Sequence, residues 1–337
     1  MFKRYLGVDL GSANLRLYVR GRGVVLHEPS VVAHGAADDR LYAVGHEARD
    51  MEERAPPRIA VTRPIRNGVV ADYGITTALL RSLFRHAAGR LGLGRPVVML
   101  AAPAGVTTVE SRALCDAALQ AGAHEVYLIP SPLAAAIGAN VPIANASGNL
   151  LLDLGAGTTQ AAVLSLNDIV VSRTLRHGGE RLDALIAAHL KRQHHLLIGR
   201  HTAEEIKLRL ASAVRLPEDM SVEVKGLDVT SGLPRTVQVT SWEITAALRE
   251  GLQGILDTVR TVLEQTPPEL ASDIVDKGIL LTGGGALLRN LDQLLTSEIG
   301  VPAALAEDPL TCVALGAGRA LEHLDVFQDS LLPVGSS

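Results

Sequence analysis

Short apolar runs alternate with longer amphipathic stretches along this chain, and the two lengths predict different elements. Residues 5–10, 15–19 and 23–27 are apolar runs of strand length, separated by brief polar or glycine turns. From about Glu28 to Asp72 the pattern loosens, charge rises, and prolines appear at Pro56, Pro57 and Pro64. Short strands are expected there at residues 31–32 and 42–44. The segment lacks Gly/Ser low complexity, so it reads as a small subdomain rather than a linker. Helical periodicity then predicts helices at 75–90, 107–121 and 132–139, with strands at 97–101 and 126–129 between them. After Asn149 the alternation resumes. A strand, a turn and a second strand at 160–164 precede helices at 180–193 and 203–213. Weaker β segments follow at 221–225 and 235–240. A long helix over 242–265 is expected to stop at Pro267-Pro268. A strand running into glycines leads to helix-like residues 287–299, and a last helix covers 311–321, with a loosely held tail from Asp325. Apolar strands interleaved with helices imply an α/β fold whose sheet is covered on both faces.

One pattern occurs twice. Val8-Asp9-Leu10-Gly11-Ser12-Ala13-Asn14 returns, altered, as Leu152-Asp153-Leu154-Gly155-Ala156-Gly157-Thr158-Thr159. Each copy is a strand ending in Asp, then a turn of small and hydroxyl residues, then another strand. Such a turn lets successive backbone N–H groups point into one concavity, which suits anionic oxygens. Ser12, Thr158 and Thr159 add hydroxyl donors. Asp9 and Asp153 would repel phosphate, so they make sense with a hard cation between them and it. Mg²⁺ commonly takes one or two carboxylates and keeps several waters. Taken alone, either turn is ordinary Asp-Gly chemistry. Its recurrence in both halves points to a duplicated core gripping one phosphate chain from two sides. A third glycine cluster, Gly283-Gly284-Gly285-Ala286, ends an apolar strand and allows close approach of a ring or ribose. No Gly-x-x-x-x-Gly-Lys-Ser/Thr is present and no Gly-x-Gly-x-x-Gly follows the first strand, which excludes a P-loop and disfavours a dinucleotide fold.

Composition narrows the picture. At 337 residues and 47% hydrophobic the chain can build two fused halves, and with 3% aromatics its core must be Leu, Val, Ile and Ala. The net charge of −4 is well mixed, so no nucleic-acid surface is expected. Cys115 and Cys312 sit in apolar helical contexts and read as reduced core thiols, which suits a cytoplasmic setting. His194-His195 reads as surface, because adjacent helix residues point different ways. Met1-Phe2-Lys3-Arg4 leads straight into the first strand, so no signal peptide is expected. No apolar run approaches the ~20 residues of a membrane span, so any membrane contact would be peripheral.

Further blocks extend across the chain: Glu28-Pro29-Ser30-Val31-Val32-Ala33, Asn67-Gly68-Val69-Val70-Ala71-Asp72, Thr202-Ala203-Glu204-Glu205-Ile206-Lys207, Leu281-Thr282-Gly283-Gly284-Gly285-Ala286-Leu287-Leu288 and Ala306-Glu307-Asp308-Pro309-Leu310. With the two turns, they make the sequence resemble the MreB/Mbl family of bacterial actins over essentially its whole length. The resemblance implies an actin-like ATPase fold of two RNase H-like halves with nucleotide in the central cleft. The halves would be residues 1–145, with a core of 1–27 and 73–145 and an insert of 28–72, and residues 146–337, with a small subdomain at about 182–250. It implies ATP and Mg²⁺ as cofactors, with Asp9 and Asp153 toward the metal. Gly11, Ser12, Ala13 and Asn14 would form one phosphate loop, and Gly155, Ala156, Gly157 and Thr158 the other. Gly283, Gly284, Gly285 and Ala286 would lie along ribose and adenine, and Glu204 and Lys207 would border the adenosine. Expected partners are further copies of the chain in filaments, inner-membrane cell-shape and wall-synthesis proteins, and the inner face of the plasma membrane. Leu91 and Leu93, flanked by Arg90 and Arg95, fall where the family carries an apolar membrane loop.

Two departures from the family concern hydrolysis. Its Ile-Glu-Glu-Pro is here Ile129-Pro130-Ser131-Pro132, so Ser131 stands where a Glu polarises the attacking water. Its Gly-Gly-Gly-Thr-Thr-Glu is here Gly155-Ala156-Gly157-Thr158-Thr159-Gln160. Serine is a poor base, and general-base assistance is typically worth ~10²–10⁴ in rate. Ser131, Thr159 and Gln160 are therefore the candidate catalytic residues of a slow ATPase. A second reading is an ATP-locked paralogue that copolymerises with an active one. A third, a small-molecule kinase on the same fold, would need an acceptor site and a catalytic Asp near Ser131, and the sequence offers none.

Overall fold

The computed structural model describes residues 4–38, 40–88 and 94–333. β1 (Tyr5–Leu10) and β2 (Asn14–Val19) form an antiparallel hairpin, and β3 (Gly23–Pro29) continues it. The chain then leaves the sheet for a small layer in which β4 (Val32–Gly35) lies between β5 (Leu41–Val44) and β6 (Ile59–Thr62). Val31, Ala33, Ala43 and Ala48, the last on α1 (His46–Asp50), make its own miniature core. The ladder β7 (Ile65–Arg66) to β8 (Val69–Val70) brings the chain back. α2 (Tyr73–Ala88), β9 (Val97–Ala102), α3 (Thr108–Ala121) and β10 (Glu125–Pro130) complete the first sheet, ordered β10-β9-β1-β2-β3. α3 starts where it does because Thr107 and Glu110 cap each other's backbone N–H groups reciprocally.

α4 (Ser131–Gly138) crosses to the second half. There β11 (Asn149–Leu154), β12 (Thr159–Ser165) and β13 (Asp168–Leu175) repeat the three-stranded meander. An excursion follows: α5 (Gly179–His194), β14 (Leu196–Leu197), α6 (Arg200–Leu210), β15 (Ser221–Asp228), β16 (Pro234–Thr240) and the long α7 (Ser241–Glu264). α8 (Pro268–Lys277) leads to β17 (Ile279–Thr282), a 3₁₀ turn at Gly284–Leu287, α9 (Leu291–Ile299) and β18 (Ala303–Leu305). The second sheet runs β13-β12-β11-β17-β18, with β11, β17 and β18 parallel, which reproduces the order and strand directions of the first. The duplication read from two turns is a duplication of the whole sheet.

α10 (Cys312–Glu322) and α4 join the halves. They pack backbone to backbone because Gly138 and Gly316 face each other's helices, where a Cβ would collide with the Cys312 and Ala134 carbonyls. Around them one apolar cluster takes Met99 and Ile129 from the first half, and Leu151, Leu164 and Ala317 from the second. α10, expected with residues 146–337, packs on β1, β9 and α4 of the first half.

Several boundaries differ from the sequence reading for physical reasons. Pro267-Pro268 does not only stop α7. Pro268 opens α8, since a missing N–H costs nothing in a first helical turn. α6 spans 200–210 instead of 203–213, because Ala211 turns extended and Ser212 bridges to Arg289. The expected helix over 287–299 is a 3₁₀ turn, a left-handed Asn290 and then α9. The tail is anchored by α11 (Leu324–Phe327), with Phe327 buried and Leu332 N donating to Leu128 O at 2.9 Å.

Candidate nucleotide site

The two repeated turns close in the same way. Gly11 N donates to Asn14 O at 3.1 Å, and Gly155 N donates to Thr158 O at 2.8 Å. The loops face each other across a cleft of about 450 Å³, which falls in the range of small-molecule sites. Gly68 N donates to Ser12 Oγ at 3.2 Å and ties the first loop to the segment between β7 and β8. Gly157 lies so close to that arrangement that a Cβ there would meet Ser12 Oγ and come within 2.9 Å of Asn67 N. The glycine therefore sets the spacing of the loops.

Strand register places the charged groups. Asp9 pairs with Arg16 across β1–β2, and Arg16 with His27 across β2–β3, so the three form one row facing the cleft. Arg16 Nη1 donates to Asp9 Oδ2 at 3.1 Å, and Nη2 to His27 Nε2 at 3.3 Å. The second half holds the equivalent row, Asp153–Gln160–Thr174, without a cation. Gln160 Oε1 accepts from Ala104 N at 2.9 Å and from Thr174 Oγ1 at 3.5 Å. Thr282 Oγ1 donates to Asp153 Oδ1 at 3.1 Å. Burial, and then the neighbouring Asp9 charge, push the Asp153 carboxyl up to about 6. Burial likewise raises Asp9, against the opposing pull of Arg16. Burial followed by the Arg16 charge lowers His27, consistent with a neutral ring accepting from the guanidinium.

The carboxylates suit a hydrated Mg²⁺ to this extent: both line the cleft, each raised by burial, and one oxygen of each is engaged by Arg16 or Thr282 while the other is not. Among the described residues no three His, Cys, Asp or Glu side chains converge as an all-protein metal cage.

Most residues singled out from the sequence meet here. Gly11, Ser12, Ala13, Asn14, Gly155, Ala156, Gly157 and Thr158 line the cleft, with Asp9, Asp153, Ser131 and Gln160. Gly283, Gly284 and Gly285 line it from the end of β17, and Glu204 and Lys207 from α6. Two expected residues do not. Thr159 is fully buried, and its hydroxyl donates to His177 O at 2.9 Å, so it has no free donor for a water. Ala286 turns into the core of the second half as the 3₁₀ turn winds away from the cleft. Leu91 and Leu93 lie outside the described residues. Lys207 is spoken for, 2.8 Å from Asp183 and donating to Gly179 O at 3.1 Å. Glu204 accepts from Arg49 at 2.9 Å, and Arg200 N donates to Glu53 Oε1 at 3.0 Å. These two contacts clasp the small layer of the first half to α6 across the cleft mouth.

Sequence reasoning missed Arg16 and His27, which sat inside runs read as plain strand, and Arg289, which also lines the cleft. His194 is half-buried and reaches Glu243 Oε1 at 2.6 Å beside His189 at 2.8 Å, whereas His195 is exposed in a left-handed helix end. Only the second matches the surface reading. Cys115 and Cys312 are both free and buried, as expected.

A family model described as MreB/Mbl protein matches residues 3–329. The chain belongs to the MreB/Mbl family. It is 47% identical over 336 residues to the cell shape-determining protein MreB of Escherichia coli K12, covering 98% of this chain and 97% of that protein. It is 43% identical over 325 residues to the cell shape-determining protein Mbl of Bacillus subtilis 168, covering 96% and 98%. Among solved structures, MreB5 of Spiroplasma citri bound to AMPPNP is 35% identical with a TM-score of 0.90, covering 98% of this chain and 99% of that one. The MamK double helical filament shares the fold with a TM-score of 0.81 at 21% identity, covering 95% and 99%. The actin-like fold expected from the sequence is thus the fold observed. Among the described residues of this MreB/Mbl chain no helix is long and apolar enough to cross a membrane.

Proposed function

We propose that this chain is an ATP-binding cytoskeletal protein that polymerises into actin-like filaments on the inner face of the plasma membrane and governs cell shape by organising wall synthesis. The observation that carries the reading is the pair of equivalent loops, Gly11–Asn14 and Gly155–Thr158, facing across one cleft. Each offers backbone N–H groups and hydroxyls to a phosphate chain. Gly283, Gly284 and Gly285 after β17 line the same cleft, where ribose and base would lie. That MreB5, of the same family, binds AMPPNP supports ATP as the ligand.

Asp9 and Asp153 would hold Mg²⁺ through water, and the metal would screen the phosphate charge. Around it the protein's own groups do little to activate a water. Ser131 is a buried hydroxyl at the start of α4, a donor and weak acceptor but not a base near neutral pH. Gln160 is neutral and its Oε1 is occupied by Ala104 N. Hydrolysis is therefore slow, and filaments persist or depend on partners for turnover. The same observations favour the second reading, an ATP-locked subunit that copolymerises with an active relative. Phosphate release by the wild type and by Ser131→Glu tests this. A slow wild type accelerated by Ser131→Glu is expected. An unchanged rate in the variant contradicts slowed hydrolysis.

A further inference from the structure

The cleft contains a cation of its own. Arg16 is 8% exposed, lines the cleft and pairs with Asp9 at 3.1 Å. Its Nε is buried and has no hydrogen-bond partner among the described residues. With that nitrogen unpaired, the charge of the guanidinium is offset, among the described residues, by Asp9 alone. The equivalent position of the second half is Gln160, whose carbonyl is satisfied by backbone and Thr174. The cation is thus confined to one of two otherwise matched rows, on the strand that follows the first phosphate loop.

We propose that Arg16 is a built-in counter-cation of the polyphosphate site: it shares Asp9 with the divalent metal and sets its fixed positive charge at the cleft wall against the bound anion, so that nucleoside di- and triphosphates bind with reduced dependence on Mg²⁺. This rests on the reading of the cleft as the ATP site. Guanidinium suits the role because it stays charged and offers donors in a fixed planar fork. It can therefore hold Asp9 with one nitrogen while its delocalised charge faces the cleft. His27 accepts the remaining contact at 3.3 Å and fixes the plane of the group.

The test measures ATP affinity by titration calorimetry, with Mg²⁺ and with EDTA, for wild type, Arg16→Gln and Arg16→Lys. Gln is chosen because Gln160 occupies the matching place in the second half, and thermal melting checks that each variant folds. The Kd ratio, EDTA over Mg²⁺, is expected to rise by about tenfold in Arg16→Gln, with Arg16→Lys in between. Mn²⁺ should also bind Arg16→Gln more tightly, since Asp9 is then free. A ratio that rises by less than about threefold overturns the proposal for Arg16 and leaves the ATP site standing. If Arg16→Gln does not fold, the uncharged Arg16→Met takes its place under the same threshold. Wild type that binds ATP in neither condition overturns the reading of the cleft itself.

Discussion

Arg16 and Asp9 sit directly opposite each other in the β1–β2 pairing, 3.1 Å apart, with the Arg16 side chain only 9% exposed. A buried pair of this kind contributes little net stability when intact, because desolvation offsets the attraction, yet breaking it from one side leaves a charge without compensation. Asp9→Asn should therefore destabilise the chain by about 3 kcal/mol in urea unfolding, whereas Asp9→Asn combined with Arg16→Gln should recover most of that loss. Additive effects of the two changes would show that the pair is not coupled.

Gly157 is a point of close approach between the two repeated turns, against Ser12 and Asn67. Gly157→Ala should widen that approach and lower ATP affinity by at least about tenfold, measured by fluorescence of a labelled ATP analogue. Far-ultraviolet dichroism should remain unchanged, since the residue lies in a turn. Wild-type affinity in the variant would mean that the loops do not grip one ligand together.

Both thiols are protected. Burial first, and then nearby carboxylates, push Cys115 and Cys312 up to about 11. Because the native state holds these protons more tightly than an unfolded chain, whose thiols titrate near about 8.5, the associated stability is complete below that pH. It is lost as pH rises toward about 11. At about pH 8 the native protein should give almost no colour with a thiol reagent over minutes, and both thiols should react in denaturant. Rapid labelling of the native chain would contradict the burial of either residue.

The two repeated turns that line the cleft were legible in the sequence because their pattern is local. Glycines, hydroxyls and a strand-ending Asp announce themselves within eight residues, and the recurrence at Asp153 makes the reading specific. Arg16 and His27 were not legible, because their role comes from cross-strand register, which pairs residues seven and eleven apart. Thr159 shows the reverse. Its type suits a water-binding role, but strand alternation turns it inward, onto the His177 carbonyl. α10 could not be assigned from its place in the chain, since its packing on β1 and α4 depends on close contact at Gly138 and Gly316. Pro268 misled for a local reason: the same residue that ends one helix starts the next.

The account rests on nucleotide-controlled assembly, and the most direct measurement is high-speed sedimentation of the purified protein with Mg-ATP, with Mg-ADP and with no nucleotide. The proposed function predicts pelleting that depends on nucleotide and is greatest with Mg-ATP, with filaments visible in the pellet. A protein that binds ATP yet stays in the supernatant in all three conditions would contradict self-assembly into filaments.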